Sequence, residues 1–126
     1  MSDRDDMIIR GAGLRVAATY ASLVIMCDSL PTPIALPTGV VSPDEMIPAV
    51  RRVIEIVDDL IIPEEVQSMV FTACAFYLGA LDLFGLFVAE PEHKPRLASV
   101  LANLGSADEA IQGVGYWLNG GELPRD

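Results

Sequence analysis

The sequence is poor in the residues that catalytic, metal and nucleic-acid-binding sites use. Its 126 residues include two cysteines, one histidine and one tryptophan, and 8 basic residues stand against 18 acidic ones. One histidine and two cysteines cannot complete a zinc site unless carboxylates join them, and no CxxC spacing occurs. The formal charge of −10 repels phosphate, so direct nucleic-acid binding is not expected. Because no nucleophile motif is present either, we expect no enzymatic activity, no metal and no cofactor.

The composition is that of a folded helical protein rather than a disordered one. Hydrophobic residues make up 52% of the chain and charged residues 21%, and the length is typical of one domain, here residues 1–126. Cys27 and Cys74 lie in apolar stretches and are expected to be buried free thiols. The start, MSDRDDMIIRG, has three aspartates and one arginine, which does not resemble a secretory signal. The expected location is therefore the cytoplasm.

Periodic apolar residues predict an all-α fold. The sequence favours a compact bundle of about five helices around a central hydrophobic helix over residues 63–89, with a proline-rich loop over 29–42. Ser42-Pro43-Asp44-Glu45 resembles a capping box, and Met46, Val50, Val53, Val57 and Leu60 follow at helical spacing. A break is expected at Gly105, because Ser106-Ala107-Asp108-Glu109 resembles a second capping box. The other predicted helices cover residues 3–27, 95–104 and 106–118.

The segment over residues 66–89 is long enough to span a membrane, but we interpret it as a soluble core helix. Acidic residues flank both of its ends, and no excess of basic residues marks one end as cytoplasmic. Its more polar residues also share one helical stripe, which a lipid-facing helix does not need. The stripe consists of Glu64, Ser68, Thr72, Ala75, Gly79, Asp82 and Glu90. The first helix has a comparable stripe of Arg4, Gly11, Arg15, Thr19 and Ser22, and its remaining faces are apolar.

An acidic cluster surrounds the turn between the second and third predicted helices. Its spacing matches no calcium loop, and no helix carries the Glu-x-x-His pair of di-iron bundles. The simplest interpretation is a solvated acidic face, and the functional alternative is a patch that docks a basic protein partner. The members of this acidic patch are Glu55, Asp58, Asp59, Glu64 and Glu65.

Five aromatic residues are candidates for lining an apolar ligand site inside the bundle. The proline-rich loop either caps an open end of the core with Ile34, Leu36, Val40 and Val41 or acts as the lid of such a pocket. The site would lie between the first, third and fifth predicted helices and would hold an apolar small molecule. Its candidate lining residues are Tyr20, Phe76, Tyr77, Phe84 and Trp117.

The leading functional hypothesis is a small acidic, non-enzymatic interaction protein. It would act as an accessory subunit, inhibitor or regulator that docks a protein partner or itself, and a homodimer is expected. Small residues at four-residue spacing provide either tight packing of the first and third helices within the chain or a dimer seam. They are Gly13, Ala17 and Ala21 in the first helix, and the pairs Ala75 with Gly79 and Gly85 with Ala89 in the third. The alternative function is a helical-bundle binding protein for an apolar small molecule.

Overall fold

The computed structural model describes residues 3–122 as four α-helices, the first two joined by an extended loop and the others by short connections. Helix α1 spans Asp3–Ser29, α2 spans Pro43–Ile56, α3 spans Glu64–Ala89 and α4 spans Lys94–Leu118. A single 3-10 turn, Val57–Asp59, extends the end of α2. No strand occurs in this part of the chain. The all-α class is confirmed, and the number of helices is four rather than five.

Helix α3 occupies the centre of the arrangement. It packs against α1, α2 and α4, whereas α1 and α2 do not pack against each other over the described residues. Its most extensive contact is with α4, alongside which it runs antiparallel after the turn at residues 90–93. Buried side chains occur along almost its whole length, from Val66 to Phe87. The expected central hydrophobic helix is therefore present.

The predicted break at Gly105 is wrong, because α4 continues through it without interruption. Leu104 and Ala107 on either side of the glycine are fully buried, and Val100 and Val114 extend the same buried face. Packing of this face on α3 outweighs the cost of about 1 kcal/mol that one glycine imposes on a helix interior. Asp108 is consequently a mid-helix residue and not part of a cap.

Helix α2 begins and packs as its pattern predicts. Ser42 precedes its first residue, and Met46, Val50 and Val53 are buried. The Ser42 hydroxyl donates to the Glu45 carboxylate at 3.3 Å rather than to a backbone amide. Neither side chain binds a backbone amide at this helix end, so the predicted capping box does not form.

Close approach between helices occurs at positions other than most of the predicted small-residue seams. A Cβ at Gly113 would come within 2.5 Å of the Met69 sulfur, so this glycine allows α3 and α4 to approach closely. Gly13 lies beside the Phe84 ring in the contact between α1 and α3. Gly79 and Gly85, by contrast, have open space around the Cβ position. Of the three glycines in the predicted seams, only Gly13 therefore lies against a side chain of a neighbouring helix.

The segment between α1 and α2 is an extended loop that lies on the core, as expected. Leu30 and Leu36 are buried, and Ile34 and Val41 pack partly against the core. The Ile34 amide donates to the Cys27 carbonyl at 2.9 Å, which turns the chain back on the end of α1. Val40, one of the residues expected to cap the core, is instead fully exposed next to Gly39.

Helices α1 and α3 both satisfy the length and hydropathy requirements for a membrane span. In their most apolar 18-residue windows, 28% of α1 and 33% of α3 is buried inside the fold. The polar stripe of α3 lies outside the core, since Glu64, Ser68, Asp82 and Glu90 are exposed. The expectation of a soluble core helix rests on this stripe and on the packing of α3 against the other three helices.

We expect Gly105→Ala to stabilise the protein by about 1 kcal/mol, because the glycine is exposed inside a helix and has open space around its Cβ position. Gly120→Ala is the matched control, since Gly120 follows the end of α4 with φ +84 and alanine is strained there. Urea unfolding of both variants measures the effect. Destabilisation by Gly105→Ala would show that a helix ends at this glycine.

Candidate functional site

An apolar groove lies between α1, α3 and the loop that leads into α2. Its volume is about 540 Å³. Val16, Val24 and Leu81 form part of its walls, and Thr38 and Gly39 lie along its loop side. Several lining residues, including Ala17, Ala21 and Ile25 of α1, are exposed, so the groove opens to solvent. We call this feature the apolar groove.

Two tyrosines build the groove's inner wall. The Tyr20 and Tyr77 rings are 5.8 Å apart between centroids and tilted by 35°. The Tyr77 hydroxyl donates to the Val16 carbonyl at 3.1 Å, and the Tyr20 hydroxyl donates to the Pro37 carbonyl at 2.6 Å. Burial raises the pKa of both phenols. Because both hydroxyls donate within the chain, the tyrosines present mainly their rings to the groove.

The structure brings three of the five predicted lining residues together. Tyr20, Tyr77 and Phe84 line the apolar groove, and α1 and α3 provide two of its walls as expected. Phe76 is 39% exposed and lies outside the groove. Trp117 is on α4, which contributes no wall, and packs partly against the core. The loop wall, with Thr38, Gly39 and Val41, was not among the predicted lining residues.

The acidic patch is solvated at every predicted position. Glu55, Asp58, Asp59, Glu64 and Glu65 are all exposed. Gln67 fixes the turn beneath them by donating to the Leu60 carbonyl at 3.0 Å and, more weakly, to the Asp58 carbonyl at 3.4 Å. No group of three metal-ligating side chains occurs within residues 3–122.

A second apolar surface, which sequence reasoning did not identify, runs along the outside of α1. Met7, Leu14 and Ile25 are 72%, 67% and 66% exposed. Together with three small exposed residues they form one stripe with alternating spacings of four and three residues. We call this stripe the outer seam of α1, and its members are Met7, Gly11, Leu14, Ala18, Ala21 and Ile25. The sequence feature that could have revealed this surface is the alternation of four- and three-residue spacings between its members.

The predicted polar stripe of α1 is only partly solvent-facing. Thr19 is 2% exposed, and its hydroxyl donates to an Asp108 carboxylate oxygen at 3.0 Å. The other oxygen of Asp108 lies 3.5 Å from the Arg15 guanidinium. This contact joins α1 to the middle of α4. It leaves the apolar outer seam, and not this polar stripe, as the most exposed side of α1.

The two cysteines are buried free thiols, as predicted. Burial raises the pKa of Cys27 to about 11. Burial also raises the pKa of Cys74, with a further contribution from the neighbouring Cys27 thiol. Both groups are therefore protonated near neutral pH and unsuited to nucleophilic chemistry.

The buried thiols predict that the protein loses stability at alkaline pH. The pKa of Cys27 rises from 9.0 to about 11 on folding, so the folded state holds its proton more tightly. This contribution is complete below the unfolded pKa and is lost as the pH rises through the folded one. We expect the free energy of unfolding to be constant from about pH 7 to 8 and then to fall by about 1.4 kcal/mol per pH unit for each thiol.

Urea unfolding between pH 7 and 10.5 measures this effect, with Cys27→Ala as the control that removes one titrating group. Above pH 9, the free energy of unfolding should fall less steeply with pH in the variant, and the difference should equal the contribution of one thiol. Equal slopes in the two proteins would show that the Cys27 thiol titrates alike in the folded and unfolded chains.

No family model, curated protein or solved structure matches the chain. The outer seam of α1, the apolar groove and the acidic patch are therefore the surfaces from which a function is proposed.

Proposed function

We propose that the protein is a small acidic, non-enzymatic interaction protein that docks a protein partner or itself through the outer seam of α1. The observation that carries the proposal is the exposure of three large apolar side chains, Met7, Leu14 and Ile25, on one stripe of one helix. Single exposed apolar residues are normal on a protein surface, but a continuous stripe is typical of an interaction site.

The helix that presents this seam is suited to docking. No charged residue occurs in α1 between Arg15 and Asp28, so the C-terminal half of the seam, with Ala18, Ala21 and Ile25, has no ionic group to desolvate. The opposite side of α1 is anchored in the core by Leu23, Met26 and Cys27. A partner would therefore meet a preformed surface, which lowers the entropic cost of binding.

The acidic patch gives the protein a second means of selecting partners. Its five exposed carboxylates and the formal charge of −10 favour approach by a basic protein. Such steering raises the association rate and opposes acidic competitors. The patch lies around the turn between α2 and α3 and the outer seam lies on α1, so the two surfaces share no residue.

We expect Leu14→Glu to abolish docking without unfolding the protein. Leu14 is 67% exposed, so the change in stability should be less than about 0.5 kcal/mol. The wild-type chain, immobilised and incubated with extract of its source cells, should retain a protein that Leu14→Glu loses. In a parallel experiment, an untagged copy of the chain is added as the potential binding partner in place of the extract.

Leu86→Glu is the matched control, because it makes the same change at a residue that is 49% exposed and lies on α3, outside α1 and the acidic patch. It should retain what the wild type retains. The same retained proteins on Leu14→Glu and on the wild type would contradict docking through the outer seam.

A second candidate function is the binding of an apolar small molecule in the apolar groove. The volume of about 540 Å³ and the ring faces of Tyr20, Tyr77 and Phe84 favour it. This volume falls in the range of known ligand pockets, about 300–1,000 Å³. Because both tyrosine hydroxyls already donate within the chain, the ligand would be largely hydrocarbon.

We expect Ala17→Phe to obstruct this groove, because Ala17 lines it and does not belong to the outer seam. Titration with the apolar fluorescent probe N-phenyl-1-naphthylamine measures binding. The affinity should fall by about 10-fold or more, the equivalent of about 1.4 kcal/mol. Ala102→Phe, at an exposed position on α4, should leave the affinity unchanged. Equal affinities for both variants would assign probe binding to another surface.

A further inference from the structure

We infer that the partner of the outer seam is a second copy of this chain, with the two α1 helices packed antiparallel so that residue 4 of one faces residue 28 of the other. This inference rests on the proposed function and names its partner. It follows from the spacing of the seam, from the sizes of its residues and from the charges at its two ends.

The spacing is that of a two-helix packing surface. The seam positions recur at 7, 11, 14, 18, 21 and 25, which are the a and d positions of successive heptads. With residues 4 and 28 at its ends, the stripe covers eight such positions. Its length is about 36 Å, since a helix rises about 1.5 Å per residue. A stripe of three or more heptads is long enough to specify pairing with another helix.

The order of large and small residues along the stripe is complementary to the same order read in the opposite direction. An antiparallel pair places an a position of one helix opposite a d position of the other. Small residues then face each other in one layer, a leucine faces an alanine in the next, and two large side chains meet toward each end. Glycine and alanine allow the helix axes to approach closely where they meet. The layers are Gly11 with Ala21, Leu14 with Ala18, and Met7 with Ile25 of the second copy.

The charges at the two ends of the stripe favour the antiparallel arrangement. Arg4 and Asp28 are both exposed, and no ion pair joins either to another described residue. Within one chain each stands at the unfavourable end of the helix dipole, with a cation near the N-terminus and an anion near the C-terminus. In the antiparallel pair Arg4 meets Asp28 of the second copy, and each lies at the favourable end of the other helix.

The parallel arrangement lacks this complementarity. It would bring Arg4 against Arg4 and Asp28 against Asp28, and like charges in contact oppose association. Asp3 is also exposed beside the N-terminal end of the stripe and opposes Asp28 of the second copy in the antiparallel pair. Despite this opposition, the Arg4–Asp28 contact favours the antiparallel over the parallel orientation, while the apolar layers supply the stability.

Sedimentation equilibrium at about 100 μM tests the pairing. The wild-type chain should have twice the 13.5 kDa mass of one chain. Leu14→Glu places a carboxylate in two central layers of the dimer and should weaken self-association by about 100-fold or more. Leu86→Glu makes the same change away from the seam and should remain dimeric. Circular dichroism of each variant verifies that it is folded.

Engineered cysteines test the orientation. Positions 7 and 25 are about 27 Å apart within one helix, so they cannot form a disulfide inside one chain. Met7→Cys combined with Ile25→Cys should form covalent dimers under mild oxidation, whereas Met7→Cys alone should not. The wild-type chain controls for the two native thiols, which are buried. Covalent dimers from Met7→Cys alone would indicate parallel pairing and overturn the proposed register.

A charge exchange tests the ends of the stripe. Arg4→Asp alone and Asp28→Arg alone each create two repulsive contacts per dimer and should weaken self-association by about 10-fold. The double variant Arg4→Asp with Asp28→Arg reverses both partners and should restore the wild-type constant to within about 3-fold. If the two losses of self-association affinity add up in the double variant, the assigned contact between Arg4 and Asp28 is wrong.

The results separate this inference from the proposed function. A monomeric wild-type chain at about 100 μM overturns self-pairing, whereas loss of a different captured protein by Leu14→Glu still supports docking through the seam. Sedimentation of the monomer with phosphatidylcholine vesicles, abolished by Leu14→Glu, would assign the seam to a lipid surface and overturn both. A dimer that Leu14→Glu dissociates, with double-cysteine crosslinking and charge rescue, supports both.

Discussion

The need to cover α3 controls the arrangement of the whole chain. This helix is apolar around most of its circumference and therefore requires neighbours on several sides. Helix α4 covers one side along most of its length, and α2 and α1 cover two others. The stripe that remains open is the one with Asp82 and the exposed glutamates. Because α1 is used to cover α3 and α4 with its inner face, nothing within the described chain covers its outer seam.

Much of the fold could be predicted because local patterns and tertiary packing agree. In α2 the apolar residues recur at one period, and Met46, Val50 and Val53 are buried as that period requires. At Gly105 the local signals and the packing disagree. A glycine followed by a serine resembles a helix end, but Leu104 and Ala107 are both needed to cover α3. Neighbouring residues in the sequence do not show how strongly a segment packs against a distant helix, so they did not predict that α4 continues through Gly105.

The candidate site was predictable only in part for a related reason. Tyr20, Tyr77 and Phe84 were identifiable as large apolar side chains on the helices that form the groove. The separation of Phe76 from this group depends on the rotation of α3 about its axis, which neighbouring residues alone do not determine. Ala21 and Ile25 belong both to the groove and to the outer seam. A protein docked on the seam would therefore cover one edge of the groove, so the two proposed activities compete for the same part of α1.

The hydrogen bond between Thr19 and Asp108 influences which face of α1 packs against the rest of the protein. Both the inward and the outward sides of this helix are apolar, so hydrophobic burial alone distinguishes poorly between two rotations about the helix axis. A hydroxyl buried to 2% exposure with a carboxylate 3.0 Å away does distinguish them, because any other rotation would separate this polar pair. Together with the Tyr77–Val16 hydrogen bond and the Arg15–Asp108 ion pair, this hydrogen bond favours one rotational state of α1, and with it the side chains that the protein presents to its surroundings.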